Sequence, residues 1–284
     1  MFAAVCVEIQ RLSPIHLSPI HLSPTGGVPM GSLDQKVALV TSSRLGSCVN
    51  IAQQFAREGA KVVVCGRNAA QGLTTVKQIR ADGGRATFIL TDIASPSDVQ
   101  AAIDEAIATY GRLDILFNHA SSEQHSRDGS LTEISEAVWD RVVETTLKGA
   151  FFCCQYALPF LQQSGSGTII HLVEGPASGQ IRSVASICQG GVLAMTSVIA
   201  QQLPASTVTA NLIWKGSLPE AGEASIPAAI SLSANQILYG PLSGDRPFAD
   251  IAEAVLYLAC RGDSLHGSAL VVREAGGDSV SAQG

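Results

Sequence analysis

The chain lacks the cysteine spacing that a disulfide or zinc framework needs. Its seven cysteines include no CxxC pair and no matched spacing, so neither scaffold is expected. Cys48, Cys65, Cys153, Cys154, Cys188 and Cys260 read instead as small core residues of an intracellular, cytoplasmic protein. A basic excess is missing too. Lys and Arg number 18 against 24 Asp and Glu, giving a net charge of −6 and arguing against nucleic acid or an anionic membrane as the main partner. No apolar run is long enough to suggest a bilayer span. Charge of either sign is scarce, at 15% against 46% hydrophobic residues, and 284 residues of that composition bury one sizeable core. A single α/β domain with a small-molecule ligand is the default.

The first thirty residues are a different kind of text. SPIHL, SPIHL and SPT follow one another from Ser13 to Thr25, and their prolines remove backbone donors, so this Pro/Ser/His repeat is expected to be disordered. It has neither the charged start nor the long apolar stretch of a secretory signal. His16 and His21 could be paired as metal ligands, but two histidines on a flexible tail seldom make a site, and no metal is expected. Met30 reads as the natural start of the domain that continues from residue 31 to 284, and the upstream segment as an extension or a mispredicted start.

From Lys36 onward short β-branched runs alternate with longer amphipathic stretches, which is the pattern of a parallel sheet covered by helices on both faces. Seven strands are expected, at 36–41, 61–65, 86–90, 113–118, 167–173, 207–213 and 268–273. Helices are expected near 46–58, 68–82, 97–110, 133–163, 185–203 and 248–260. The result is a doubly wound α/β fold. The Pro- and Ala-rich stretch 216–244 is its least regular part, and an insertion after the sixth strand commonly forms a lid over the ligand crevice.

Several segments carry a resemblance. GTIIHLVEG followed by SVASICQGGVLAMTSVIAQQL, together with WDRVVETTLKGAFFCCQYALPFL, GRLDILFNHA and DIAEAVLYLA, resembles the short-chain dehydrogenase/reductase family from about Leu33 to Gly277. That resemblance implies a Rossmann-type domain, a nicotinamide dinucleotide, a small-molecule substrate and homodimers or homotetramers built on the long helices around 133–163 and 185–203. Phe151, Phe152 and Tyr156 on the first of these read equally as core or interface residues.

The dinucleotide half of the implied site is partly kept. A nucleotide-binding loop needs glycine because the backbone must turn tightly and approach a pyrophosphate, with helix amides facing the anion. TSSRLGSC stands where the family reads TGxxxGxG, so Ser42, Ser43, Arg44 and Gly46 are the candidate loop contacts, and Ser42 and Cys48 occupy the other two glycine positions. Arg67, just past the second strand, stands where NADP-preferring relatives place a basic residue, and no acid replaces it; Arg44 would add a second positive charge. NADP is therefore expected rather than NAD. Asp92 matches the residue set against adenine, and Asn118 opens NHAS where NNAG is usual, leaving His119 and Ser121 as departures.

The catalytic half departs further. Reducing a carbonyl builds negative charge on oxygen, which a tyrosine must protonate while a lysine lowers that tyrosine's pKa and grips the ribose. The resemblance places Ala185 at the tyrosine, Gln189 at the lysine, Glu174 at the serine and Thr146 at the asparagine. Ala185 donates nothing, and Gln189 retains only hydrogen bonding to ribose. NLIWKGSLPE, where NAIAPGxIxT is usual, adds Lys215 and Glu220 at a proline and a threonine. Strand alternation turns His171 away from Glu174, so His171 reads as a core residue. Arg182 and Ser183 carry no specific signal as substitutes.

Three functions compete on these residues. One is a pseudoenzyme or regulatory subunit that still holds NADP. The second is a repurposed isomerase, lyase or cyclase with Glu174 as acid or base and Gln189 beside it. The third is a carbonyl or alcohol oxidoreductase with substitute proton donors.

Overall fold

The computed structural model describes residues 30–41, 46–119, 128–174, 183–215, 236–239, 251–261 and 265–272. The repeat extension, with His16 and His21, lies outside them, as does most of the 216–244 stretch. Eight strands form one sheet: β1 (Val37–Thr41), β2 (Lys61–Gly66), β3 (Arg85–Leu90), β4 (Ile115–Asn118), β5 (Gly167–Glu174), β6 (Val208–Lys215), β7 (Gln236–Tyr239) and β8 (Ser268–Val272). Their order is β3-β2-β1-β4-β5-β6-β8-β7, every pair parallel. All seven expected strands form. The eighth, β7, adds to the edge from within the stretch that looked irregular, because four residues between long proline- and serine-rich flanks show no readable period.

The helices are α1 (Gly46–Arg57), α2 (Ala69–Ala81), α3 (Pro96–Tyr110), α4 (Glu136–Val143), α5 (Gly149–Ser164), α6 (Ser183–Gln202) and α7 (Ile251–Arg261). Local chemistry sets their ends. Asn68, Ser95 and Ser135 each accept a hydrogen bond from the amide three residues on, and Pro96 starts α3 with its φ already helical. Gly111 ends α3 at φ 80°, a left-handed turn that costs glycine little. The single helix expected over 133–163 is instead two, α4 and α5, joined by one π turn at Glu144–Lys148. Such a widened turn re-aims its side chains, and Thr146 lies within it.

Both faces of the sheet are covered, so the central strands carry unbroken apolar runs rather than alternation; every residue of β1 is buried. Alternate residues feed opposite clusters. Ala38 and Val40 pack with Ile51, Phe55 and Val76 beneath α1, α2 and α7, while Val37 and Leu39 pack with Ile103, Cys154 and Leu161 beneath α3 and α5. Five of the six expected core cysteines are buried, and Cys260 is half-buried. Phe151 is 48% exposed, whereas Phe152 and Tyr156 lean on the core. Contrary to the sequence reading, one helix among the described residues is long and apolar enough to cross a membrane, the 20-residue α6. It packs against β5, β6 and the π turn, with most of its most apolar window buried, as a core helix does.

Two polar ties, one of them buried, fix the strands that carry the site. Asp114, fully buried, takes Arg112 on both oxygens and accepts the amide of Val37, joining the approach to β4 with the start of β1. His266 accepts from the amide of Ala210 and bridges to the carbonyls of Ala200 and Leu203, joining the end of α6 to β6. Close approach matters at the base of β5, where a Cβ on Gly167 would stand 2.6 Å from the Leu161 carbonyl oxygen. Gly167→Ala is therefore expected to lower the unfolding free energy by about 1–3 kcal/mol, read as a shift of the urea midpoint with an unchanged slope.

Candidate functional site

Strand order reverses between β1 and β4, and open α/β sheets place their ligands in the crevice outside the carboxyl ends of strands at such a point. Thr41 ends β1, Asn118 ends β4, Glu174 ends β5 and Lys215 ends β6. The parallel register pairs Glu174 with Lys215 across eight matched positions, so the two last side chains rise together. Lys215 Nζ lies 3.0 Å from Glu174 Oε1, with the side chains 20% and 29% exposed. His119 follows β4 and is buried, its Nε2 3.9 Å from the same carboxylate oxygen. The other ring nitrogen, Nδ1, lies 3.1 Å from Sγ of Cys48, the third residue of α1, and the His119 amide donates to Thr41 Oγ1.

The four positions that the sequence resemblance assigns to the family's catalytic groups lie in different surroundings. Ala185 is buried in an apolar cluster with Val142, Val184 and Cys188. Its amide and that of Val184 donate to the two carboxylate oxygens of Asp128, at 2.8 and 3.1 Å. Asp128 thus caps α6 from across the chain, a role that sequence offers no signal for, since the two lie 56 residues apart. Ser183 is tied to the Gly129 carbonyl and serves the same junction. Gln189 donates its amide to the backbone carbonyl of Glu174, and its Oε1 is buried without a partner among the described residues. Thr146, in the π turn, is buried with its hydroxyl likewise unpartnered among the described residues. Glu220 and Arg182 lie outside the described residues.

On the dinucleotide side, Ser42, Ser43 and Arg44 are outside the described residues, as is Ser121, and Gly46 opens α1. Arg67 is exposed directly after β2. Asp92 accepts from the Ala94 amide and faces Arg141 at 4.0 Å. Asn118 is only 2% exposed and is held by Thr41 at 3.4 Å and Cys154 at 3.6 Å.

His171 is brought to the opposite side of β5, as alternation requires. It is fully buried between Thr196 Oγ1 at 2.9 Å and Cys154 Sγ at 3.4 Å, and burial lowers its pKa to about 4. Burial also pushes the thiols up: Cys65 and Cys154 to about 12, Cys188 and Cys260 to about 11. These sulfurs are protonated and inert.

Comparison with known proteins agrees with this architecture. Residues 45–274 match the family model described as enoyl-(acyl carrier protein) reductase. The chain is 32% identical over 229 residues to a 3-oxoacyl-[acyl-carrier-protein] reductase of Staphylococcus aureus, covering 79% of this chain and 90% of that one. A dehydrogenase/reductase crystal structure from Sinorhizobium meliloti superposes with a TM-score of 0.69 at 26% identity, over 86% of this chain and 95% of that one. A metagenomic short-chain oxidoreductase in complex with NADP shares the fold, with a TM-score of 0.67 at 23% identity over 85% and 98% of the two chains. The protein is a doubly wound α/β member of the oxidoreductase-like folds. It belongs to the short-chain dehydrogenase/reductase family.

The depressed pKa of His171 has a consequence for stability. The neutral ring contributes fully above its unfolded value near 6.5, and that contribution is lost as pH falls through about 4. Between pH 7 and pH 4 the native chain is expected to lose about 3 kcal/mol more than His171→Gln, measured by urea unfolding at each pH.

Proposed function

We propose that this chain is a family descendant that holds NADP but does not reduce carbonyl compounds at a useful rate, acting as a regulatory or partner subunit. The observation that carries this reading is the state of position 185. A methyl group stands there inside an apolar cluster, and the adjoining amides are satisfied by Asp128 rather than left near a reacting oxygen. Loss of a general acid costs roughly 10²–10⁴ in rate and loss of an oxyanion donor roughly 10²–10³. Glu174, paired with Lys215, offers no replacement, since a carboxylate beside a developing oxyanion repels it.

The chain's own groups fit a dinucleotide better than they fit its chemistry. NADP supplies or accepts a hydride. Arg67 would meet the 2′-phosphate, Asp92 the adenine, and the buried unpartnered Oε1 of Gln189 would accept from a ribose hydroxyl. Cys48 puts a side chain at the third glycine position, which favours weakened binding. Phe151 on α5, with Ile187 and Val198 on α6, each 48% exposed, supports a second copy of the chain docking on these helices as a homo-oligomer. The five buried free thiols suit a reducing compartment such as the cytoplasm.

Fluorescence titration tests the binding half. NADPH is expected to bind in the micromolar range and Arg67→Ala to weaken it roughly tenfold, about 1.4 kcal/mol. A broad panel of ketones and aldehydes tests the other half. NADPH oxidation is expected to stay at background, and brisk turnover that survives Glu174→Gln would overturn the proposal.

A further inference from the structure

Cys48 is the thiol whose surroundings differ from the rest. It lies in the first turn of α1, at the helix's positive end, which favours negative charge, and no acidic residue shares that turn. His119 Nδ1 is 3.1 Å from its sulfur, within reach to take the proton, and the far nitrogen of the ring faces Glu174 Oε1 at 3.9 Å. The carboxylate is held in turn by Lys215 at 3.0 Å. A thiol, an imidazole and a carboxylate in that sequence form the arrangement in which a base draws a proton from a nucleophile and a third group steadies the base. Gln189, its amide on the carbonyl of Glu174, keeps a nine-tenths buried oxygen without a donor among the described residues.

We propose that Cys48, activated by His119, is a peroxide-reactive thiol, and that hydrogen peroxide or a small hydroperoxide is the molecule this cluster admits. His119 takes the thiol proton. The thiolate attacks one peroxide oxygen, an S–O bond forms and the O–O bond breaks. Sulfur loses two electrons, the leaving hydroxide (alkoxide from a hydroperoxide) gains them, and the imidazolium returns its proton to give water (or the alcohol), leaving Cys48 as a sulfenic acid. Cys65, Cys153, Cys154, Cys188 and Cys260 have no imidazole arranged this way at a helix start, and burial holds all five in the thiol form. The added oxygen would stand at the third position of the nucleotide-binding loop, so oxidation would exclude the dinucleotide; that consequence alone rests on the NADP reading above.

The test uses the full chain exposed to hydrogen peroxide without nucleotide, with sulfenic acid trapped by dimedone and quantified at each cysteine by peptide mass spectrometry. Cys260 is the internal reference. Exposure alone ranks half-buried Cys260 ahead of Cys48 at 2% exposed, whereas activation by His119 predicts Cys48 labelled at least about tenfold faster. His119→Gln is expected to bring Cys48 down to the Cys260 rate. Labelling of Cys48 no faster than Cys260 in the native chain overturns the proposal, with no variant required. An unchanged Cys48 rate in a folded His119→Gln protein overturns the assigned base. NADPH titration before and after oxidation reads the consequence separately: equal weak binding in both would sink the dinucleotide reading while leaving the labelling result intact.

Discussion

The ion pair between Glu174 and Lys215 organises the crevice. Each residue looks like an isolated departure along the chain, one standing for a serine and the other for a proline. The sheet makes them a single change, because β5 and β6 are both eight residues long and run in register to their final positions. A carboxylate at that depth without a partner would cost several kcal/mol in desolvation, and so would an ammonium. Together at 3.0 Å, and still partly open to water, they offset much of that cost. His119 then gains a fixed neighbour, and through it Cys48 is tied to the same cluster.

That cluster spans the point where strand order reverses. β1 and β4 are adjacent in the sheet although more than seventy residues separate them, so the start of α1 and the residue after β4 face each other across the crevice. Short-chain folds use this position to bring a glycine-rich loop beside a cofactor. Here the same topology brings a thiol to an imidazole. The fold therefore accounts for why Cys48 and His119, far apart along the chain, meet at all.

The fold was legible in the chain because parallel strands covered on both faces write themselves as apolar runs such as VALVT and GTIIHLV. What failed to show was anything set by pairing at a distance. β7 is too short for a period, the π turn at Glu144–Lys148 keeps the apolar spacing of an ordinary helix, and Asp128 caps α6 from the far side of a loop. The candidate site divides along the same line. Its residue identities were readable by position, and the placement of His171 followed from alternation alone. Its contacts required the sheet register, which sequence could have suggested only through the equal lengths of β5 and β6.

These contacts also let the crevice satisfy its own polar groups. A working reductase keeps a donor, an ammonium and a hydroxyl aimed at an absent substrate, and such groups remain poorly satisfied until it arrives. Here the groups satisfy one another: Glu174 with Lys215, the first amides of α6 with Asp128, and Gln189 with the Glu174 carbonyl. Capping of α6 alone contributes roughly 0.5–2 kcal/mol. Restoring a tyrosine at position 185 would force a large ring into the cluster of Val142, Val184 and Cys188, at a further overpacking cost of about 1–3 kcal/mol. The crevice thus pairs its own charged and capping groups, and the buried side-chain nitrogen and oxygen atoms left without partners among the described residues are Thr146 Oγ1 and Gln189 Oε1.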